Sequence, residues 1–112
     1  MEKDRRKAPR VRVNLPARWQ GVFTSQKATV TDISRNGCFV LSGGKVEVRE
    51  LISLEIELPH RRPVHFWAEV VDEASEIGFA VRFNSSTDED RERLEAYIEE
   101  MFSTPPVKRS EK

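Results

Sequence analysis

The sequence predicts an all-β fold with a C-terminal helix, a six-stranded antiparallel barrel, on three observations. Apolar and polar residues alternate over short runs along most of the chain. Glycine, proline and asparagine punctuate those runs. Only the last run, around Leu94, Ile98 and Met101, changes to helical spacing. At 112 residues the chain holds one domain and one core. A barrel is favoured over an open sandwich because closure removes exposed edges from so small a sheet.

Residues 1–3 read as a tail and 4–10 as a basic arm. Pro9 lacks an N–H and disfavours helix at Ala8, so Arg6 to Arg10 is expected to be extended. Val11, Val13, Leu15, Ala17 and Trp19 then alternate strictly as a first strand. Pro16 places part of that strand at an edge or a bulge. Thr29–Ser34 and Cys38–Leu41 form the next two strands. The Arg35-Asn36-Gly37 link between them is expected to be a type I′ hairpin turn with positive φ at its central residues. Ser42-Gly43-Gly44 is a loop, Leu51–Leu58 a fourth strand ended by Pro59, and His60-Arg61-Arg62-Pro63 a turn. Val64–Val71 and Ile77–Phe83 complete the six.

The final helix opens with Ser86-Thr87-Asp88-Glu89, a capping box with Ser86 as N-cap. Acidic residues crowd its first turn, where the helix dipole favours them. Leu94, Ile98 and Met101, with Tyr97 and Phe102 beside them, give it a face to dock on the sheet. Pro105-Pro106 ends it, so the domain covers 4–102 and 103–112 is expected to be a disordered tail.

Composition narrows the class further. Hydrophobic residues make up 38% and charged residues 34%, a small fold with a charged surface. The longest apolar runs are a few residues, too short for a membrane span, and the N-terminus lacks the apolar middle of a secretion signal. One cysteine, Cys38, excludes an internal disulfide and suits a reducing compartment, the cytoplasm. Net charge is zero. Residues 1–18, however, carry seven basic against two acidic side chains, and residues 84–102 the reverse. A basic arm of this kind suits an anionic partner, although two oppositely charged ends also simply neutralise one another.

Two polar runs stand out: Arg6-Lys7-Ala8-Pro9-Arg10, preceded by Arg5, and Asp32-Ile33-Ser34-Arg35-Asn36-Gly37. Guanidinium forks grip phosphate oxygens or guanine O6 and N7 in bidentate fashion. Asp32 can accept from guanine N1–H and its exocyclic amine, and Ser34 can donate or accept. In a regular strand Asp32 and Ser34 share a face, two residues apart, and Gly37 allows close approach. A plain reading competes with each: a solvated basic tail for Arg5, Arg6 and Arg10, and local turn formation for Asp32, Ser34, Asn36 and Gly37.

Signals for catalysis or metal binding are poor. His60 and His65 lack a metal-site spacing, and Cys38 sits in an apolar strand as an inert thiol. Gly43-Gly44 lacks the companions of a phosphate loop, and Ser34 has no evident histidine base. Trp19 and Trp67 read as core or rim packing. No enzyme, cofactor or metal is expected.

Taken jointly, Arg6-x-x-x-Arg10 and Asp32-x-Ser34-x-x-Gly37 resemble the two signature motifs of the PilZ domain family. The resemblance extends to Arg5, the Val11–Trp19 strand, Gly37-Cys38-Phe39-Val40, and Gly78-Phe79-Ala80-Val81-Arg82-Phe83 before the final helix. It covers roughly residues 4–102. It implies a bacterial receptor for cyclic di-GMP on a six-stranded barrel with a C-terminal helix, acting in second-messenger control of motility or biofilm. By resemblance Arg6 and Arg10 grip guanine Hoogsteen edges and phosphates. Asp32 and Ser34 contact the other guanine edge, and Gly37 shapes the turn. Arg5, directly before the first motif, implies two intercalated ligand molecules per domain.

One departure stands out. Many members of the family it resembles carry a ligand-contacting tryptophan near the end of the fifth strand, where this chain reads Val70-Val71-Asp72-Glu73. Trp67, five residues before Asp72, is expected on the opposite face. The expected function is a stand-alone, non-enzymatic cyclic di-GMP receptor in which the arm orders over the barrel and signals to a downstream protein in trans. A PilZ-fold adaptor without a nucleotide, in motility or pilus machinery, is the alternative, against which the intact motifs argue. Nucleic acid is disfavoured as partner, because Asp32 would repel a polyanion.

Overall fold

The computed structural model describes residues 9–22, 24–74 and 77–103. Six strands are observed: β1 (Val11–Gln20), β2 (Ser25–Ile33), β3 (Gly37–Leu41), β4 (Leu51–Ile56), β5 (Val64–Ala74) and β6 (Gly78–Ser85). The helix α1 spans Asp88–Ser103. The strands close into an antiparallel barrel in the order β1-β2-β3-β6-β5-β4, so β1 pairs with both β2 and β4. The predicted fold class is therefore the observed one.

Alternation along the strands fills the barrel. Leu15, Ala17 and Trp19 of β1, Ile52, Leu54 and Ile56 of β4, and Val64, Phe66, Ala68 and Val70 of β5 all face inward and are buried. Trp19 meets Phe79 edge-on at 5.3 Å, and Phe66 stacks on Phe83 at 4.1 Å, geometries that aromatic quadrupoles favour. Trp19 is wholly enclosed and donates its indole N–H to Ser42 Oγ at 2.9 Å. Trp67 stands half-exposed on the outer face, edge-on to His65.

Two irregularities shape the outer surface. β1 shifts register between Arg12 and Leu15, just before Pro16, which accommodates a residue that cannot donate to a ladder. β5 shifts register between Val70 and Asp72. The extra residue resets the inside–outside alternation, so Asp72 pairs with Ala80 on the outer face. The expectation that Trp67 and Asp72 point to opposite faces is thereby corrected.

Helix α1 closes one end of the barrel. The predicted N-cap moves one residue: Thr87 Oγ1, not Ser86, accepts from the Asp90 amide at 3.0 Å. Asp90 then reaches the His65 amide at 3.0 Å and also pairs with Arg93. Leu94, Tyr97 and Ile98 are buried against the barrel, whereas Met101 and Phe102, expected on the same face, remain largely exposed. Arg93 donates to the Pro63 carbonyl, and Arg61 pairs with Glu100 at 2.8 Å. The antiparallel connections bring the start of β1, the β2–β3 turn, the end of β6 and the start of α1 to this same end.

Candidate functional site

That shared end brings two of the sequence-predicted residues together. β1 and β2 pair with Val11 opposite Ile33 and Arg12 opposite Asp32. Arg10 therefore arrives beside the end of β2, and its Nη1 donates to Asp32 Oδ1 at 2.6 Å. Residues 22 positions apart in sequence, one from each polar run, form an ion pair on the barrel's outer surface. The Arg10 side chain is 58% exposed and that of Asp32 32%. Arg5 and Arg6 lie outside the described residues.

Ser34 is placed differently from expectation. β2 ends at Ile33, and Ser34 is a buried turn residue rather than a neighbour of Asp32 on an open strand face. Its backbone N–H donates to the Gly37 carbonyl at 2.8 Å, and its Oγ accepts from the Asn36 amide at 3.1 Å. The same hydroxyl donates more weakly to the Gly37 carbonyl, at 3.4 Å. A side chain that bonds the backbone two residues on is a turn-forming device. Ser34 thus acts on the site by holding the turn that follows Asp32.

Gly37 is corrected as well. Among the described residues no glycine has positive φ, so Asn36-Gly37 is not the type I′ pair that the sequence suggests. Gly37 is instead the first residue of β3, and a Cβ there would lie 2.2 Å from the Val81 carbonyl oxygen. The glycine is demanded by close approach of β6. The turn is fastened from two further sides: the Asn36 carbonyl accepts from the Phe83 amide at 2.8 Å, and the Arg35 carbonyl from Arg91 of α1 at 3.3 Å.

The surface beside Asp32 is built from the outward residues of neighbouring strands. Reading across the barrel, Arg12, Asp32, Phe39, Ala80 and Asp72 form one outward row. Gly37, Arg82, Glu69 and Leu51 form the next. The half-buried Phe39 and Ala80 make an apolar floor. Arg82 pairs with Glu69 at 2.7 Å. Two depressions lie elsewhere on the barrel. One, of about 500 Å³, lies over Pro16 and Lys27, and the other, of about 750 Å³, lies by Val46 and Glu73. The candidate site is an outer face of the barrel on which charged side chains border an apolar floor.

Beneath it Cys38 is buried, and burial pushes its thiol pKa far up. The Asp32 carboxylate adds to that rise and Arg10 opposes it. Among the described residues no group of three or more His, Cys, Asp or Glu could hold a metal ion. No helix among them is long and apolar enough to cross a membrane. Arg82 and Glu69 belong to neither polar run. Arg82 occupies an outward position in an alternating run, but nothing local indicates that Gly37 lies opposite it.

Solved structures share this architecture. An inhibitor of motility from Bacillus subtilis, MotI/DgrA, superposes with a TM-score of 0.71 at 19% identity, over 88% of this chain and 52% of its own. YcgR from Escherichia coli, solved in complex with c-di-GMP, gives 0.72 at 15% identity, over 88% and 46%. The PilZ domain of CeSA from a cellulose-synthesizing bacterium gives 0.62 at 10% identity, over 81% and 96%. The chain thus spans about half the length of the first two. No curated protein matches it in sequence. The sequence matches the PilZ domain over residues 4–100, almost the whole chain. The chain, a closed barrel with a terminal helix, belongs to the PilZ domain family.

Proposed function

We propose that this chain is a non-enzymatic receptor for cyclic di-GMP. The observation that carries the reading is the Arg10–Asp32 pair. It sets a guanidinium fork and a carboxylate side by side on the barrel's outer face, at the junction of the two polar runs. Guanine offers O6 and N1–H on adjacent ring atoms, so one such pair can meet both. Membership of the PilZ family and the c-di-GMP complex of YcgR support the ligand's identity.

Without ligand, Arg10 and Asp32 satisfy one another. Exposed ion pairs contribute about 0–1 kcal/mol, so opening this one to admit a base costs little. Ser34 and Gly37 hold the adjoining turn against β6, keeping Asp32 in place before ligand arrives. Arg5 and Arg6 then add contacts to phosphates and the Hoogsteen edge as the arm is drawn over the barrel, and a second stacked ligand engages Arg5. A micromolar affinity, about −8 kcal/mol, needs only a few such charge-assisted contacts beyond the ordering cost. The closed arm presents a new surface to a downstream protein, consistent with the motility role in the name of one structural neighbour.

Isothermal titration with cyclic di-GMP, with GTP and cyclic di-AMP as controls, tests the reading. Saturable binding to the wild type, lost in Arg6→Ala and Asp32→Ala, is expected, with a stoichiometry near two ligands per domain. A folded wild type that takes up no ligand at tens of micromolar would overturn it. The nucleotide-independent adaptor would then stand in its place.

A further inference from the structure

The Arg10–Asp32 pair has a counterpart two strands away. Arg82 Nη2 donates to Glu69 Oε1 at 2.7 Å, and the two side chains are 60% and 22% exposed. Arg10 and Asp32 show the same pattern at 2.6 Å, with 58% and 32% exposed. In both pairs the arginine side chain is the more exposed partner and the acidic side chain the more buried one. The other two ion pairs among the described residues differ: the side chains of Arg61 and Arg93 are only 22% and 25% exposed and fasten α1 to the barrel.

Placement strengthens the parallel. Arg82 lies opposite Gly37 in the β3–β6 ladder, and Asp32 lies opposite Phe39 in the β2–β3 ladder. Arg82 is therefore two strands and two residues from Asp32, about 12 Å between Cα atoms by strand spacing and rise. Between them lie only Phe39, Ala80 and the side-chain-free Gly37. The Arg82 guanidinium makes no hydrogen bond to a described residue other than Glu69.

We infer that Arg82 and Glu69 form a second guanine-reading pair, which takes the other base of the bound ligand across the Phe39–Ala80 floor. This rests on the cyclic di-GMP reading above and extends it to residues outside both polar runs. Chemistry selects a base over a phosphate here. Glu69 already neutralises Arg82, so the pair holds little net charge for an anion. It presents a donor fork beside an acceptor, the complement of guanine O6 and N1–H. Adenine offers an amine donor where guanine offers O6, so Arg82 discriminates between the two.

The test titrates wild type, Arg82→Ala, Arg82→Lys and Glu69→Gln with cyclic di-GMP and with the mixed cyclic dinucleotide of one guanine and one adenine. Wild type is expected to prefer cyclic di-GMP. In Arg82→Ala that preference collapses, through a loss of about tenfold or more for cyclic di-GMP and little change for the mixed ligand. Arg82→Lys keeps the charge but not the fork and should show the same collapse in weaker form. Glu69→Gln loses part of the preference. Unchanged thermal unfolding of the variants, read by circular dichroism, separates these effects from folding. Equal losses for both ligands in Arg82→Ala, or no loss for either, would overturn the second pair while leaving the receptor reading intact. Failure of the wild type to bind cyclic di-GMP would overturn the receptor reading itself.

Discussion

A Cβ on Gly37 would stand 2.2 Å from the Val81 carbonyl oxygen, inside any tolerable contact. The obstacle is backbone, which cannot swing aside as a flexible side chain does. Gly37→Ala must therefore part β3 from β6 just where the Asn36 carbonyl takes the Phe83 amide. A loss of about 2–3 kcal/mol is expected, in the range of other forced overpacking. Gly43→Ala is the matched control, since nothing lies within 4 Å of its added methyl and its φ is not positive. Replacement there should be neutral or stabilise by about 0.5 kcal/mol through the unfolded chain. Urea denaturation of both variants reads the contrast; equal midpoints would refute it.

Arg10 and Asp32 make the opposite kind of contribution. Their pair is short but exposed, and exposed pairs seldom exceed about 1 kcal/mol. Asp32→Ala should therefore lower the melting temperature by no more than about 5 °C in a domain of this size. Ligand-induced stabilisation behaves differently. At a hundredfold excess over Kd, bound ligand adds about 2.7 kcal/mol, and Asp32→Ala should lose that increment entirely. Thermal scans with and without cyclic di-GMP measure both quantities in one experiment. A rise in melting temperature equal to that of wild type would show that Asp32 does not hold the ligand.

The helix start gives a prediction that separates adjacent residues. Thr87 Oγ1 accepts from the Asp90 amide, whereas the Ser86 hydroxyl only reaches the Thr87 carbonyl at the surface. Thr87→Ala should cost about 1 kcal/mol, the usual worth of an N-cap. Ser86→Ala should change stability by no more than a few tenths of a kcal/mol. Denaturant midpoints at constant slope decide between them, and a larger loss for Ser86→Ala would restore the capping box that the sequence suggested.

The barrel was legible because its inward residues alternate so regularly, from Leu15 through Trp19 to Phe66 and Val81. What escaped the sequence is what strands decide jointly. Asn36-Gly37 reads as a positive-φ turn, yet the glycine is set by a carbonyl 44 residues further along the chain, on β6. Ser25, Gln26 and Lys27 extend β2 although they carry little strand signal, because their backbone pairs with Gln20, Trp19 and Arg18. The β5 bulge turns Asp72 to the face that simple counting assigns to Trp67 alone. Of the candidate site, Arg10, Asp32 and the turn were visible as motifs. Arg82 was not, since only the β3–β6 register brings it beside Gly37.

Cys38 supplies a last test, of the core beneath the site. Its thiol is enclosed between Ile33 and Val81 on the neighbouring strands, and burial raises its pKa above the ordinary 9.0. The folded state therefore keeps its proton where the unfolded chain has lost it. That stabilising difference is fully present below pH 9.0 and is lost as pH rises above that value, at up to about 1.4 kcal/mol per unit. Cys38→Ala removes this term, so its stability should fall less steeply than that of wild type between pH 9 and 10.5. In the native protein at pH 8 a thiol reagent should label Cys38 only through opening of the fold, at a rate that follows denaturant concentration. Rapid labelling independent of denaturant, or parallel pH slopes for wild type and Cys38→Ala, would show that the thiol is reached without opening the β2–β3–β6 sheet on whose outer face Asp32 is held.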